Sequence, residues 1–207
     1  MSTDALWYLG RGSGVVTLVL FTAAVVLGIG TRSGRPAPWL PRFAITALHR
    51  NTSLLAAVFL VLHVVLLLFD PYAQLDVLDT VFPFLAGYAP FWVGLGTLAL
   101  DLLAALVITS LLRHRIGHRA WRAVHWSAYA AWPVALVHAL GSGTDAGTGW
   151  FLVLAGVCAV AVAGALSWRL STGFTEHDRR AVPTFVPPVS TALSTAPSTA
   201  PSTEVSR

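Results

Sequence analysis

The stretch that decides the fold lies at residues 43–69, which read FAITALHRNTSLLAAVFLVLHVVLLLF. It is longer than the run of about 20 apolar residues that a helix needs to cross a bilayer. It carries one charged residue, Arg50, near its start, and two histidines, His49 and His63. Because an ionisable group inside a bilayer is costly, each histidine is a candidate for function. The stretch therefore predicts a membrane-spanning helix with two chemically significant positions.

Four other runs of this kind flank the stretch, so the sequence predicts an all-α integral membrane protein, a bundle of five transmembrane helices. The 207-residue chain is 56% hydrophobic and 11% charged, whereas soluble domains carry about 25% charged residues. The net charge of +4 is too small and too dispersed for a nucleic-acid-binding protein. The single cysteine, Cys158, excludes an internal disulfide framework and a cysteine-based metal site. The other runs cover residues 12–30, 88–112, 120–140 and 149–168.

Arginines and aspartates alternate from loop to loop, and this alternation predicts the orientation. Cytoplasmic loops of membrane proteins carry an excess of basic residues. The loops after the first and third runs and the C-terminal flank are basic, and they hold Arg32, Arg35, Arg42, Arg113, Arg115, Arg119, Arg122, Arg169, Arg179 and Arg180. The other two loops are acidic and hold Asp70, Asp76, Asp79 and Asp145. We therefore expect a multi-pass protein of the plasma (cytoplasmic) membrane with its N-terminus outside and its C-terminus in the cytoplasm.

The last part of the chain has a different composition. Residues 181–207 are rich in proline, serine and threonine, and Ser-Thr-Ala-Pro occurs at 194–197 and again at 198–201. Such a segment cannot bury enough apolar surface to fold. The sequence predicts a transmembrane domain over residues 1–180 and a disordered cytoplasmic tail over 181–207, with no soluble catalytic domain attached.

Four of the seven histidines lie on two predicted helices that run in the same direction. His49 and His63 are about 21 Å apart along the second helix, and His125 and His138 are about 19.5 Å apart along the fourth. If these helices are neighbours, His49 faces His125 and His63 faces His138, an arrangement that can ligate two stacked b-type hemes. A single heme, or histidines that only form interhelical hydrogen bonds, are the alternatives. The remaining histidines are expected to be solvated, and they are His114, His118 and His177.

The angular positions of the histidines differ between the two helices. Fourteen residues at about 100° each return His63 to within about 40° of the face of His49. Thirteen residues fall about 140° short of full turns, so His125 and His138 would not share a face of an ideal helix. Pro133 lies between them and cannot donate a backbone hydrogen bond. We expect a kink and local rewinding of the fourth helix at this proline.

Two parts of the sequence resemble a known family. Residues 115–129, RIGHRAWRAVHWSAY, contain the pattern Gly-x-x-x-Trp-x-x-x-His from Gly117. With the continuation to His138 and the helix that carries His49 and His63, they resemble the ferric reductase-like transmembrane domain family. That family includes the membrane parts of NADPH oxidases and eukaryotic ferric reductases, and the heme subunit of a bacterial periplasmic methionine sulfoxide reductase system.

The resemblance covers about residues 5–172. It implies a heme-bearing helical bundle that passes electrons across the membrane, with ligand spacings of 13 or 14 residues on one helix. The sequence lacks the flavin- or nicotinamide-binding domain of the larger members. The glycine-rich run at 141–149 is not a dinucleotide fingerprint, because it lies between two spanning helices rather than between a strand and a helix.

Several further residues are candidates for supporting roles. Heme propionates are anionic and are bound by arginines or backbone N–H groups. Arg50 and Arg122 are candidates at the inner heme, and Arg11, with the amides of the 141–149 loop, is the candidate at the outer heme. The alternatives are that these arginines serve only orientation and that the loop is a flexible connector. Each ligand histidine should also donate its second ring N–H to an acceptor, which the sequence does not identify.

Asp101 and Cys158 are the remaining residues of chemical interest. Asp101 lies in the middle of the third run, where a charge is strongly disfavoured, so we expect it to be protonated or to face polar partners. It could serve as a proton relay, as the acceptor for a ligand histidine, or simply in an interhelical hydrogen bond. Cys158 is expected to be a small packing residue.

Together these features predict an oxidoreductase component, a transmembrane cytochrome b with two bis-histidine hemes. It would take electrons from a cytoplasmic flavoprotein reductase or from quinol and pass them to an acceptor outside. The basic inner loops could dock the flavoprotein. The main alternative is a non-catalytic membrane anchor or partner subunit with structural histidines. A proton or solute carrier is a third option, but the sequence shows neither the inverted repeat nor the broken helix that would favour it.

Overall fold

The computed structural model describes residues 3–33, 41–142 and 145–172, and within these ranges it is helical and has no strand. Seven α-helices follow one another in these ranges: α1 Thr3–Arg32, α2 Arg42–Leu68, α3 Pro90–Leu111, α4 Arg113–Ile116, α5 His118–His125, α6 Ala128–Ser142 and α7 Gly149–Leu170. A short 3-10 turn, Val77–Thr80, lies between α2 and α3. Of these helices, α1, α2, α3 and α7 are long and apolar enough to cross a membrane.

The fourth predicted span is divided, and this corrects the prediction of one helix over residues 120–140. Trp126 and Ser127 separate α5 from α6. The backbone N–H groups of Ser127, Tyr129 and Ala130 donate to carbonyls three residues earlier, at 2.9–3.2 Å, as in a 3-10 turn. The Ser127 hydroxyl donates to the Val124 carbonyl at 2.7 Å, a local bond that competes with regular helix.

The expected rewinding is therefore present, but it lies ahead of Pro133 rather than at it. Pro133 itself lies inside α6. The sequence showed no broken helix, whereas in the structure the helix of the fourth span is interrupted between α5 and α6. Since α6 is 15 residues long, the described ranges contain four helices of spanning length rather than five.

The helices pack in two groups joined by a common core. Helix α2 packs along α1, and α3 packs along α6 and α5. The core lies where α1, α6 and α7 meet, and its buried residues are Phe21, Val25, Ile29, Ala131, Trp132, Cys158 and Val162. The indole N–H of Trp132 donates to the Thr22 hydroxyl at 3.0 Å, which gives the one polar atom of this side chain a buried partner. Cys158 is a packing residue, as the sequence predicted.

The C-terminal end of α7 is tied to the turn between α5 and α6. The Arg169 guanidinium donates to the Tyr129 hydroxyl and lies 4.8 Å from the centre of the Trp126 ring. These contacts hold the interrupted part of the fourth span against α7 and so help to position His125 and His138. The predicted tail and the boundary at residue 180 lie outside the described residues, as do Arg35, His177, Arg179 and Arg180.

Candidate functional site

The structure brings His49 of α2 next to His125 of α5. Their ring centroids are 6.4 Å apart and the rings are nearly perpendicular, at 84°. An imidazole nitrogen lies about 2 Å from a metal that it binds, so two imidazoles on opposite sides of one metal have centroids roughly 6 Å apart. The separation of this pair therefore fits axial ligands of a single iron.

His63 of α2 and His138 of α6 form the second pair. A Coulombic interaction joins them; His63 lies fourteen residues after His49 on α2, and His138 lies on α6, the helix that follows α5. All four histidines are half-buried, whereas His114 and His118 are exposed, as expected for solvated side chains. The structure thus brings His49 and His125 into ring contact and gives His63 and His138 an electrostatic interaction.

Three of the four histidines donate a ring N–H to a backbone carbonyl. The Nδ1 atom lies 2.9 Å from the Ala24 oxygen in His49, 2.7 Å from the Gly10 oxygen in His63 and 2.8 Å from the Trp92 oxygen in His138. Because a carbonyl oxygen can only accept, Nδ1 is the protonated nitrogen in each ring. The lone pair is then on Nε2, the tautomer that a metal ligand of this kind requires.

His125 is held differently. Its Nδ1 is buried and has no hydrogen-bond partner in the part of the chain that the structure describes. The Trp121 ring stacks on the imidazole, with centroids 4.8 Å apart and planes 24° apart. The Trp121 indole N–H donates to the Ser110 hydroxyl at 3.3 Å. Stacking thus restrains this ring where a carbonyl restrains the others.

The donor set suits a heme better than a bare metal ion. In the described ranges, no three side chains of the histidine, cysteine, aspartate or glutamate type converge to form a metal site. Each level offers two imidazoles, and an iron that brings four nitrogens from its own macrocycle needs only those two. The buried Nδ1 of His125 and the carbonyl-bonded Nδ1 atoms of the other three are consistent with ligation through Nε2.

Arg32, at the end of α1, lies near His125, which the sequence did not predict. Its charge lies within electrostatic range of His125. The sequence assigned Arg32 only to orientation, because it is one of several arginines in a basic loop. Nothing in the sequence separates it from its neighbours. Arg50 and Arg122, the predicted propionate-binding residues, are exposed on α2 and α5 beside His49 and His125.

Near His63 and His138 the structure shows contacts that the sequence did not predict. Arg11 forms an ion pair with Asp145, so the segment before α7 reaches α1 through this pair. The Ser142 hydroxyl donates to the His138 carbonyl at 2.6 Å. Asp101 is exposed, and carbonyls accept from three of the histidines, so the proposed role of Asp101 as a histidine acceptor is wrong for those three.

Comparison with known proteins identifies the family of this chain. A family model described as "Ferric reductase like transmembrane component" matches residues 13–136. The chain belongs to the ferric reductase-like transmembrane family. The match includes His49, His63 and His125 and ends two residues before His138. No curated protein and no solved structure matches the chain.

Membership of the ferric reductase-like family confirms the resemblance seen in the sequence. Domains of this family typically bind heme, and the match indicates electron transfer across a membrane. With its long apolar helices, the chain is a multi-pass membrane protein.

Proposed function

We propose that this chain is a transmembrane cytochrome that carries electrons across the plasma membrane through two b-type hemes. His49 and His125 would ligate one heme, and His63 and His138 the other. The observation that carries the proposal is the Nδ1–H bond to a backbone carbonyl in three of these four rings. It leaves Nε2 deprotonated and restrains the ring, which are the two properties that an axial ligand needs.

When bound, each heme supplies a one-electron Fe(III)/Fe(II) couple. The residues of the chain hold the imidazoles in place through carbonyl hydrogen bonds and stacking. If two imidazoles of the chain hold each iron, the group would supply electron transfer rather than the binding of oxygen or another small ligand. Electron transfer through the pair of sites, rather than chemistry at the metal, is therefore the proposed role.

The inner face is the proposed side of electron entry. With the N-terminus outside and the C-terminus in the cytoplasm, α4 and α5 lie at the cytoplasmic surface. Arg113, Arg115, Arg119 and Arg122 are all exposed there. An acidic face of a separate flavoprotein reductase would be attracted to them, and ferric reductase-like domains often work with a separate reductase. Quinol is the second candidate donor, and the acceptor lies outside.

Arginines are proposed to bind the propionates of the two hemes. Arg50 and Arg122 adjoin the inner pair and are exposed, so both guanidinium groups can reach an anionic group. Arg11 would serve the outer heme, but it is already paired with Asp145 and would have to bind both groups.

Heme content and redox spectra of the purified protein test the proposal. Protein expressed with sufficient heme should give the reduced-minus-oxidised spectrum of a low-spin b-type cytochrome, and the pyridine hemochrome should give about two hemes per chain. His63→Ala should remove one heme and His49→Ala the other. His114→Ala is the matched control, because His114 is exposed. Protein without heme, or His variants that keep both hemes, would contradict the proposal and favour a membrane anchor.

A further inference from the structure

Three candidate ligand histidines contact a glycine of the neighbouring helix. In each case the glycine stands four residues after the carbonyl that accepts the Nδ1 hydrogen bond. The carbonyl and glycine are Gly10 and Gly14 for His63, Ala24 and Gly28 for His49, and Trp92 and Gly96 for His138. A Cβ atom added at these glycines would lie 2.8, 3.2 and 2.5 Å, respectively, from the nearest ring atom.

The spacing of four residues has a physical reason. In an α-helix the carbonyl of one residue accepts the N–H of the residue four positions later. The side chain at that later position leans back over the preceding turn and covers the carbonyl. Glycine leaves the carbonyl open, so its second lone pair can accept a ring N–H from the next helix. Glycine is a poor helix former, and its presence inside α1 and α3 is explained by this close approach.

We propose that Gly14, Gly28 and Gly96 are positioning residues for the ligand imidazoles. Each glycine admits one ring to a helix carbonyl, and that bond fixes both the ring orientation and Nε2 as the ligating nitrogen. This inference rests on the proposed heme-binding function. It extends the site to α1 and α3, which carry no ligand.

His125 has no such glycine, because the corresponding position on α3 is a serine. Ser110 stands fourteen residues after Gly96, the same interval that separates Gly14 from Gly28. The Thr109 hydroxyl donates to the Ala105 carbonyl at 2.6 Å and lies 3.3 Å from the oxygen of Leu106, four residues before Ser110. Ser110 instead accepts the indole N–H of Trp121. We infer that Ser110 and Trp121 position His125 by stacking, in place of the carbonyl.

Single alanine substitutions test the glycines. Gly14→Ala and Gly96→Ala should affect the heme that His63→Ala removes, and Gly28→Ala the heme that His49→Ala removes. Each should weaken retention of its heme about 10- to 100-fold, or convert it from low to high spin in the electron paramagnetic resonance spectrum. The matched controls are Gly12→Ala on α1 and Gly164→Ala on α7, where an added Cβ meets no atom within 4 Å.

The outcomes separate this inference from the proposed function. If His63→Ala and His49→Ala each lose one heme while the glycine variants keep both hemes with unchanged spectra and midpoint potentials, the glycine inference is wrong and the heme function stands. Equal losses in the control variants would also overturn it. If the histidine variants keep both hemes, the proposed function itself fails.

The unaltered protein provides a second measurement in case an alanine variant does not fold. Reduced low-spin iron is diamagnetic, so nuclear magnetic resonance of the ¹⁵N-histidine-labelled, reduced protein can detect the ring N–H of each ligand. We expect three ligand rings with hydrogen-bonded Nδ1–H groups shifted downfield and a fourth, assigned to His125, without that shift. Four equivalent signals would overturn the inference.

Discussion

Helices α1 and α2 run unbroken past both levels of candidate ligands, whereas α5 and α6 are separated between them. On α2, His49 and His63 are fourteen residues apart, as are the glycines that they contact on α1. In the second group, His125 and His138 are thirteen residues apart. Both groups nevertheless bring their histidines to matching positions. The difference teaches that equal spacing of ligands is not needed if the helix is rewound between them.

The tighter winding between α5 and α6 compensates for a histidine spacing of thirteen rather than fourteen residues. A residue wound at three per turn advances about 20° more than a residue of regular α-helix. Several such residues between Val124 and Ala130 reduce the deficit of about 140° that an ideal helix would leave between the two rings. Helix α2 needs no such adjustment, because fourteen residues of regular helix return nearly to the same face.

The largest effect is expected from combined ligand variants, which test how the two helical groups are paired. His63→Ala/His138→Ala should lose one heme, like either single variant, because both residues bind the same iron. His63→Ala/His125→Ala should lose both hemes, because these residues belong to different irons. Pyridine hemochrome analysis gives the heme content of each variant. If the first double variant lost both hemes, the pairing across α2 and α6 would be wrong.

A one-residue insertion between α5 and α6 should move His138 away from the position that matches His63. An alanine inserted between Trp126 and Ser127 would turn α6 by about 100° relative to α5. We expect loss of the outer heme, whose ligand His138 lies on α6, and retention of most folded protein. An alanine inserted after Gly147, in the loop before α7, is the control and should keep both hemes. Retention of the outer heme in the first variant would show that the break does not set the position of His138.

Much of the fold follows from the sequence, because membrane-spanning helices are recorded directly in apolar runs. The predicted second run, 43–69, and α2, Arg42–Leu68, differ by one residue at each end. The His pairs also follow, since matched heights require only the rise per residue. The break after His125 does not, because it depends on 3-10 hydrogen bonds and on the Ser127 hydroxyl, which the apolar pattern does not register.

The acceptors of the histidine N–H groups could not be predicted from the sequence, for a different reason. They are backbone carbonyls, which every residue has, so no side chain marks them. A signal was nevertheless present in the sequence. Gly14 and Gly28 are separated by the same fourteen residues as His49 and His63, and on antiparallel neighbours that match predicts one glycine beside each histidine.

A smaller effect is expected at the one histidine that is held by stacking. Trp121→Phe keeps an aromatic ring on His125 but removes the indole N–H that reaches Ser110. We expect the inner heme to be retained and its midpoint potential to shift by up to about 60 mV, which corresponds to a tenfold change for one electron. The outer heme should titrate as before. A redox titration followed by absorbance measures both, and an unchanged inner potential would remove Ser110 from the site.

The smallest effect is expected at the ion pair that joins α1 to the segment before α7. Arg11 and Asp145 are partly exposed, at 21% and 29% of their side-chain surfaces, and such a pair contributes about 0–1 kcal/mol. Asp145→Asn should therefore lower the melting temperature by no more than about 4 °C and leave the outer heme in place. If Arg11 also binds the outer propionates, Arg11→Gln should shift the outer midpoint potential while Asp145→Asn does not. If both variants lower the melting temperature and leave the outer potential unchanged, Arg11 has only a structural role. The outer propionates would then depend on backbone N–H groups, a second contrast with the arginine-rich inner end.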